Sequence, residues 1–289
     1  MSIVTFWGSG KEQVGKTLSL VAVATNMAID HNKKILILSA SYNNSTLKNC
    51  YWSEKASKKV SIIRPQGKVS IYNGIEGLAK IIESNKITPE LITDYTKIVF
   101  KNRLEVLLGF ERDEIKTKTD EENSKETGLY STQDIAKSYA EIARIANQYY
   151  DMVFVDLDNE IDAIGAEAII KMSDIVVAMT SQKMSSIEKM KEKKDEILGN
   201  KGILLIGKYD RKSKYTVKNI TRQIGERQVL AIPYNTLFFE AAEESQVPDL
   251  FLRLRNIKEK NDENEFFMQQ IRKISDEITN KIQEARMIK

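Results

Sequence analysis

The stretch Gly10-Lys11-Glu12-Gln13-Val14-Gly15-Lys16-Thr17 decides how the rest of this chain is read. It matches G-x-x-x-x-G-K-[ST], a pattern with physical content only between a strand and a helix. Both flanks comply. Residues 3–7, Ile-Val-Thr-Phe-Trp, form a short apolar run with β-branched members. From Thr17 onward Leu18, Leu20, Val21, Val23, Ala24 and Met27 crowd together as in a buried helix, and Asp30-His31-Asn32 closes the run. Such a loop wraps its backbone N–H groups around phosphate oxygens. The positive end of the following helix points at the same charge. Gly15 permits close backbone approach, Lys16 would reach the β- and γ-phosphates, and Thr17 would set its hydroxyl on a magnesium ion. The expected nucleotide contacts are therefore Gly10, Lys11, Glu12, Gln13, Val14, Gly15, Lys16, Thr17 and Leu18, with ATP and magnesium as the ligands.

Beyond the loop, strand and helix patterns alternate. Residues 35–38 are continuously apolar, as in strands covered on both faces. Residues 60–63 and 69–72 are weaker strand candidates, 78–84 and 88–100 read as helices, and 104–109 as a short strand. Residues 111–130 hold a charged loop or insertion. An amphipathic helix follows over 134–149, then a strand over 152–155 that leads into Asp156. Further helices are expected over 162–172, 185–198, 216–224 and 235–244, and strands over 175–179, 203–206 and 229–232, the last ending at Pro233. A final amphipathic helix over 265–288 carries Ile271, Ile274, Ile278 and Ile282 on one face. This alternation predicts an α/β fold, a mostly parallel β-sheet flanked by helices on both faces. No internal repeat and no Pro/Gly/Ser linker interrupts it, so residues 1–289 read as one P-loop domain.

The totals exclude several chemistries. With 289 residues, 44 basic, 41 acidic and 42% hydrophobic, the chain has the composition of an ordinary globular protein. A net charge of +3 does not demand a nucleic-acid partner. No apolar run reaches the ~18–20 residues needed to span a bilayer, and no leader is expected, so the cytoplasm is the expected location. The single cysteine, Cys50, excludes an internal disulfide and a multi-Cys zinc site. The single histidine, His31, makes a Ser-His-Asp mechanism improbable and is expected in a solvated turn.

Lys11 lies five residues before Lys16. With it, the loop resembles that of the deviant Walker A ATPases of the MinD/ParA type, K-G-G-x-G-K-[ST]. The resemblance implies a P-loop fold, an ATP-dependent homodimer, and a signature lysine, here Lys11, that crosses to the other subunit's phosphates. A solvated loop lysine is the alternative. Glu12 and Gln13 replace two glycines of the pattern. Asp156, at the end of a parallel strand, resembles the Walker B acid that holds magnesium; a strand-end cap is the alternative. Asp158 is open to two roles, a further acid of the site or a cap for the next helix. After the second strand the family carries D-x-D; this chain has Ser39-Ala40-Ser41. A hydroxyl is a poor base, so slow or absent hydrolysis is expected. Ser173-Asp174 and Ile232-Pro233-Tyr234-Asn235 resemble later family segments, the latter placing Pro233 near the base. Gly207-Lys208 stands where the family has an asparagine and a basic residue. Asp156-Leu157-Asp158 and the segment from Lys208 to Tyr215 resemble the pilus-assembly (TadZ/CpaE-like) branch and related Gram-positive ParA-like proteins.

Lys189, Lys191, Lys193 and Lys194, followed by Lys208, Arg211, Lys212, Lys214 and Lys218, would grip DNA phosphates if they converge. Interleaved acids favour a solvated face instead. The tail helix, with Asp276, Glu277 and Glu284 among its isoleucines, is expected to pack on the domain rather than bind a membrane. Three functions remain. One is a positioning ATPase engaging DNA, a partition protein, or a pilus or secretion complex. The second is a scaffold of the same fold that binds ATP and barely hydrolyses it. The third is a small-molecule enzyme, for which the chain has no acceptor motif.

Overall fold

The computed structural model describes residues 1–8, 13–42, 45–53, 74–83, 87–110, 132–159, 161, 163–258 and 262–288. Gly10, Lys11 and Glu12 lie outside them, as do the strand candidates at 60–63 and 69–72 and the charged segment at 111–130.

The chain opens with β1 (Ser2–Gly8), α1 (Lys16–Asp30) and β2 (Ile35–Ala40). After α2 (Ser45–Tyr51) and α3 (Ile75–Glu83) come β3 (Lys97–Phe100), β4 (Leu104–Leu107), α4 (Thr132–Ala146) and β5 (Met152–Leu157). The second half alternates α5 (Ala163–Met172), β6 (Ile175–Thr180), α6 (Met184–Ile197), β7 (Gly202–Tyr209), α7 (Val217–Ile224) and β8 (Val229–Pro233). It ends in α8 (Thr236–Glu243), α9 (Val247–Leu254) and α10 (Glu263–Ile288).

Eight strands form one sheet in the order β3-β4-β2-β5-β1-β6-β7-β8. Every pairing is parallel except that of the edge strand β3 with β4. Alternation along the strands sorts the apolar residues onto two faces. Val4 and Phe6 of β1 meet Ile35, Ile37, Phe154 and Val177 under α1, α2, α8, α9 and α10. Ile3 and Trp7 meet Leu36, Leu38, Val153 and Val155 under α3, α4, α5, α6 and α7. Both faces are covered, which is why β1, β2 and β5 are buried at every position and read as unbroken apolar runs. β1 lies between β5 and β6, so β2 to β5 fill the sheet on one side of it and β6 to β8 on the other. In such a sheet the crevice for a ligand opens at the C-terminal strand ends beside that switch.

The helix expected over 88–100 is not formed. A short 3-10 turn, Glu90–Tyr95, gives way to β3. Thr96 is extended, and Arg103 N donates to Phe100 O (2.9 Å) across a tight turn with Asn102 at φ 60°. The edge of β4 offers Ile98 and Phe100 a ladder, and β-branched residues next to a hairpin turn take it. Two helices were not anticipated, α2 and α9. His31 ends α1 and is partly buried, with Nε2 3.6 Å from Asp276 Oδ1, so it is not the free solvated residue expected. The tail expectation holds. Ile271, Ile274, Ile278 and Ile282 of α10 are buried in the core that includes α1 and β8. Among the described residues no helix is long and apolar enough to cross a membrane.

Candidate functional site

The loop hangs from the end of β1 and closes into α1 at Gly15. Gly15 has φ 78° and ψ 23°, the left-handed region that glycine enters without a Cβ penalty. It caps α1, and its carbonyl accepts the first helical hydrogen bond from Ser19 N (2.9 Å). No side chain caps this end, and its first turn carries no acid. The amides of a helix's first turn have no partner within the helix. α1 is buried along most of its length, so little water screens its dipole. This end of the helix is therefore fit to receive an anion.

Lys16 and Thr17, the first two residues of α1, both turn to Asp156 on the neighbouring strand β5. Lys16 Nζ lies 3.2 Å from Asp156 Oδ1 and also donates to the Leu157 carbonyl. Thr17 Oγ1 donates to Asp156 Oδ2 at 2.7 Å. Asp156 is 1% exposed and the Lys16 side chain 14%. Asp156 sits beside Phe6 of β1 and Ser39 of β2, so the register of the sheet delivers it to the loop. A hydroxyl and a carboxylate that converge beside a phosphate cradle are the hard oxygen donors magnesium takes, with its other positions left for water and phosphate. The residues present fit that ion. Among the described residues there is no group of three or more His, Cys, Asp or Glu that could hold a metal by itself.

The far side of the loop is held by β7. Gly207 lies so close to the loop that a Cβ there would stand 2.0 Å from the Val14 carbonyl oxygen. Lys208 follows at φ 51°, inside an irregularity of the β7–β8 register between Ile206 and Tyr209. Its stem lies across Gly15. In the sequence, Gly207-Lys208 read only as a departure from a motif; no local signal announces that these two residues clamp the loop. Pro233, expected near the base, ends β8 opposite Tyr209, and Tyr234 N donates to Tyr209 O at 3.0 Å. Asn235 caps α8: its Oδ1 accepts from Phe238 N (2.8 Å), while its Nδ2 donates to Asn264 (2.9 Å).

At the end of β2, Ser39 and Ser41 are buried and their hydroxyls lie 2.6 Å apart. The Ser41 carbonyl accepts from the Tyr139 hydroxyl of α4 (2.6 Å), which itself accepts from Phe110 N (3.1 Å). Burial raises the Tyr139 phenol well above its ordinary pKa, so it stays a donor. A Cβ on Gly109 would stand 2.0 Å from the same Ser41 carbonyl. These contacts seal the strand end where a carboxylate was looked for. Asp158 bonds through its backbone to Ala40 O (2.9 Å), tying β5 to β2 just past Asp156. Ser173 and Asp174 lie at the other end of the sheet: the Asp174 carboxylate accepts from Ile3 N (3.0 Å), a structural tie remote from the loop.

Two of the basic residues have partners within the chain. Lys194 pairs with Glu226 at 3.0 Å, and the Arg211 guanidinium stacks 4.3 Å from the Phe266 ring centroid.

No protein-family model matches the chain, and no curated protein sequence matches it. Solved structures do. A ParA family ATPase from Chlorobium tepidum TLS is 13% identical, with a TM-score of 0.64 over 95% of this chain and 98% of that one. The septum site-determining protein MinD from Pyrococcus horikoshii OT3, complexed with Mg-ADP, is 13% identical, with a TM-score of 0.60 over 96% and 95%. A plasmid partition protein from Borrelia burgdorferi B31, bound to AMPPNP, is 14% identical, with a TM-score of 0.57 over 94% and 97%. The fold is that of the ParA and MinD P-loop ATPases.

Proposed function

We propose that this chain is an ATP-binding, ATP-dependent dimerising ATPase of the ParA/MinD kind, working as a single domain over residues 1–289 in the cytoplasm. Its task would be to position or partition DNA or a pilus or secretion complex. The observation that carries the reading is the convergence of Lys16 and Thr17 on buried Asp156 at the uncapped start of α1. Amides of the loop and of the first turn of α1 would hold the phosphates. Lys16 would neutralise their outer charge, and Thr17 with Asp156 would hold magnesium. When bound, that ion would supply positive charge against the negative charge that develops on phosphoryl transfer. Lys11 is assigned the contact across the dimer axis. Relatives of this fold crystallised with Mg-ADP and AMPPNP support the choice of ligand.

Calorimetry with magnesium and ATP tests the reading. The parent should bind, and Lys16→Ala should not. No heat with the parent at millimolar ATP would overturn it.

A second reading, a scaffold that binds ATP and barely hydrolyses it, is favoured by one observation. Ser39 and Ser41 share a hydrogen bond where the family pattern carries acids, and neither supplies a carboxylate to orient an attacking water. Phosphate release with and without DNA separates the two readings: turnover stimulated by DNA supports the first, and none in either condition supports the second.

A further inference from the structure

The ends of β2 and β5 lie side by side at the mouth of the crevice. Ser39 pairs with Asp156 and Ala40 with Leu157, and the Asp158 N–H donates to the Ala40 carbonyl at 2.9 Å. The ladder therefore runs one step past β5 and sets Asp158 beside Ser41. Ser39-Ala40-Ser41 thus lies against Asp156-Leu157-Asp158, hydroxyls ending one strand and carboxylates the other.

The two carboxylates have different surroundings. Asp156 is buried, with one oxygen 3.2 Å from Lys16 Nζ and the other accepting from Thr17 Oγ1 at 2.7 Å, so it is committed to the residues that start α1. Asp158 lies two residues farther toward the mouth, roughly 7 Å along the strand direction, and is half-buried. Its charge is felt at the Tyr139 phenol: burial raises that group most, and Asp158 adds to the rise. The Tyr139 hydroxyl in turn donates to the Ser41 carbonyl at 2.6 Å. The Asp158 carboxylate therefore stands near the Ser41 end of β2.

Hydrolysis needs an acceptor at that place. A triphosphate gripped by Lys16 has its outer end beside Asp156, and the attacking water must come from beyond it, where β2 and β5 end. Phosphoryl transfer asks the protein chiefly to orient that water and to stabilise charge. The Ser39 and Ser41 hydroxyls share a hydrogen bond and are poor bases. Among the described residues at the ends of β2, β4 and β5, the carboxylates are Asp156 and Asp158.

We propose that Asp158 orients the attacking water and accepts its proton, so that the acid of the hydrolytic step stands on β5 and not on β2. The water oxygen bonds to the outer phosphorus. The bond from that phosphorus to the bridging oxygen breaks, and its electron pair leaves with ADP. The water's proton passes to Asp158 and from there to solvent. This rests on the ATPase reading above and, within it, stands against the scaffold that barely hydrolyses.

The test compares the parent with Asp158→Asn, which keeps the shape and loses the proton acceptor, and Asp158→Glu, which keeps the acceptor on a longer stem. Phosphate release is followed in single turnover with protein in excess, beside thermal melts and calorimetry with magnesium and ATP. Asp158→Asn should release phosphate at least about 100-fold more slowly than the parent, and Asp158→Glu should be at least about tenfold faster than Asp158→Asn. Both variants should melt like the parent and bind ATP within about twofold of its affinity. As a readout without turnover, aluminium fluoride should tighten the binding of magnesium-ADP in the parent and not in Asp158→Asn. Three results overturn the proposal: parental turnover in Asp158→Asn, a loss of ATP affinity as large as the loss of rate, or a parent that binds ATP and releases no phosphate with or without DNA. A parent that binds no ATP looks different from all three and ends the underlying reading, and the proposal with it.

Discussion

Replacing Gly207 by alanine should disable the site without unfolding the protein. The new Cβ would stand 2.0 Å from the Val14 carbonyl oxygen and 2.9 Å from the Met179 methyl. A methionine terminus can move aside; a carbonyl of the loop backbone cannot move alone. Real Cβ contacts stop at about 3.0 Å, so the Val14 carbonyl must retreat by about 1 Å. The peptide unit is planar, so the Gly15 N–H moves with it. That amide belongs to the phosphate cradle proposed above. Hydrogen bonds to charged groups contribute about 1.5–3 kcal/mol each. Losing two of them, from Gly15 and the next residue, removes about 3 kcal/mol, or more than about 100-fold in affinity. The overpacking itself costs about 1–3 kcal/mol of stability. Gly199→Ala is the control: Gly199, unlike Gly207, has a positive φ (47°), and nothing lies within 4 Å of its Cβ position. It should lose about 1 kcal/mol from backbone strain and bind ATP like the parent. Calorimetry with magnesium and ATP, beside urea unfolding followed by circular dichroism, reads both effects. A folded Gly207→Ala protein that binds ATP at parental affinity would refute the argument that β7 sets the loop.

Tyr139→Phe deletes two buried hydrogen bonds at the end of β2, so urea unfolding should show a loss of about 2–3 kcal/mol with an unchanged slope. A loss below about 0.5 kcal/mol would mean that Ser41 is held by other contacts. Ile278→Ala, on the fully buried face of α10, should cost about 2–5 kcal/mol. A near-neutral result, together with binding to anionic vesicles, would return α10 to the role of a membrane helix. Lys11→Ala should leave ATP binding intact and abolish ATP-driven dimerisation in gel filtration. An unchanged dimer would end the assignment of a signature lysine.

Legibility along this chain followed the range of the forces involved. The strands β1, β2, β4, β5, β6, β7 and β8 and most helices were readable because burial on two faces or one writes its own period into the sequence. The turn that opens α1 was readable for a similar reason: Gly15, Lys16 and Thr17 follow the local geometry of one turn. The pairing of Asp156 with that turn could be expected from its place at a strand end. Elsewhere local pattern failed. Residues 97–100 read as the end of a helix begun at 88, and became a strand because β4 presented an open edge.

The amino-acid sequence by itself determined the α/β alternation, the loop that starts α1 and the isoleucine face of the tail, since each rests on neighbours within one or two turns. Only the tertiary structure decided that Ser39 and Ser41 bond to each other under Tyr139, and that Gly207 and Lys208 press on Val14 and Gly15. Those contacts join residues far apart in the chain. Their energy depends on distances that exist only once the sheet has set β2 beside β4 and brought β7 to the loop, and no local period records them.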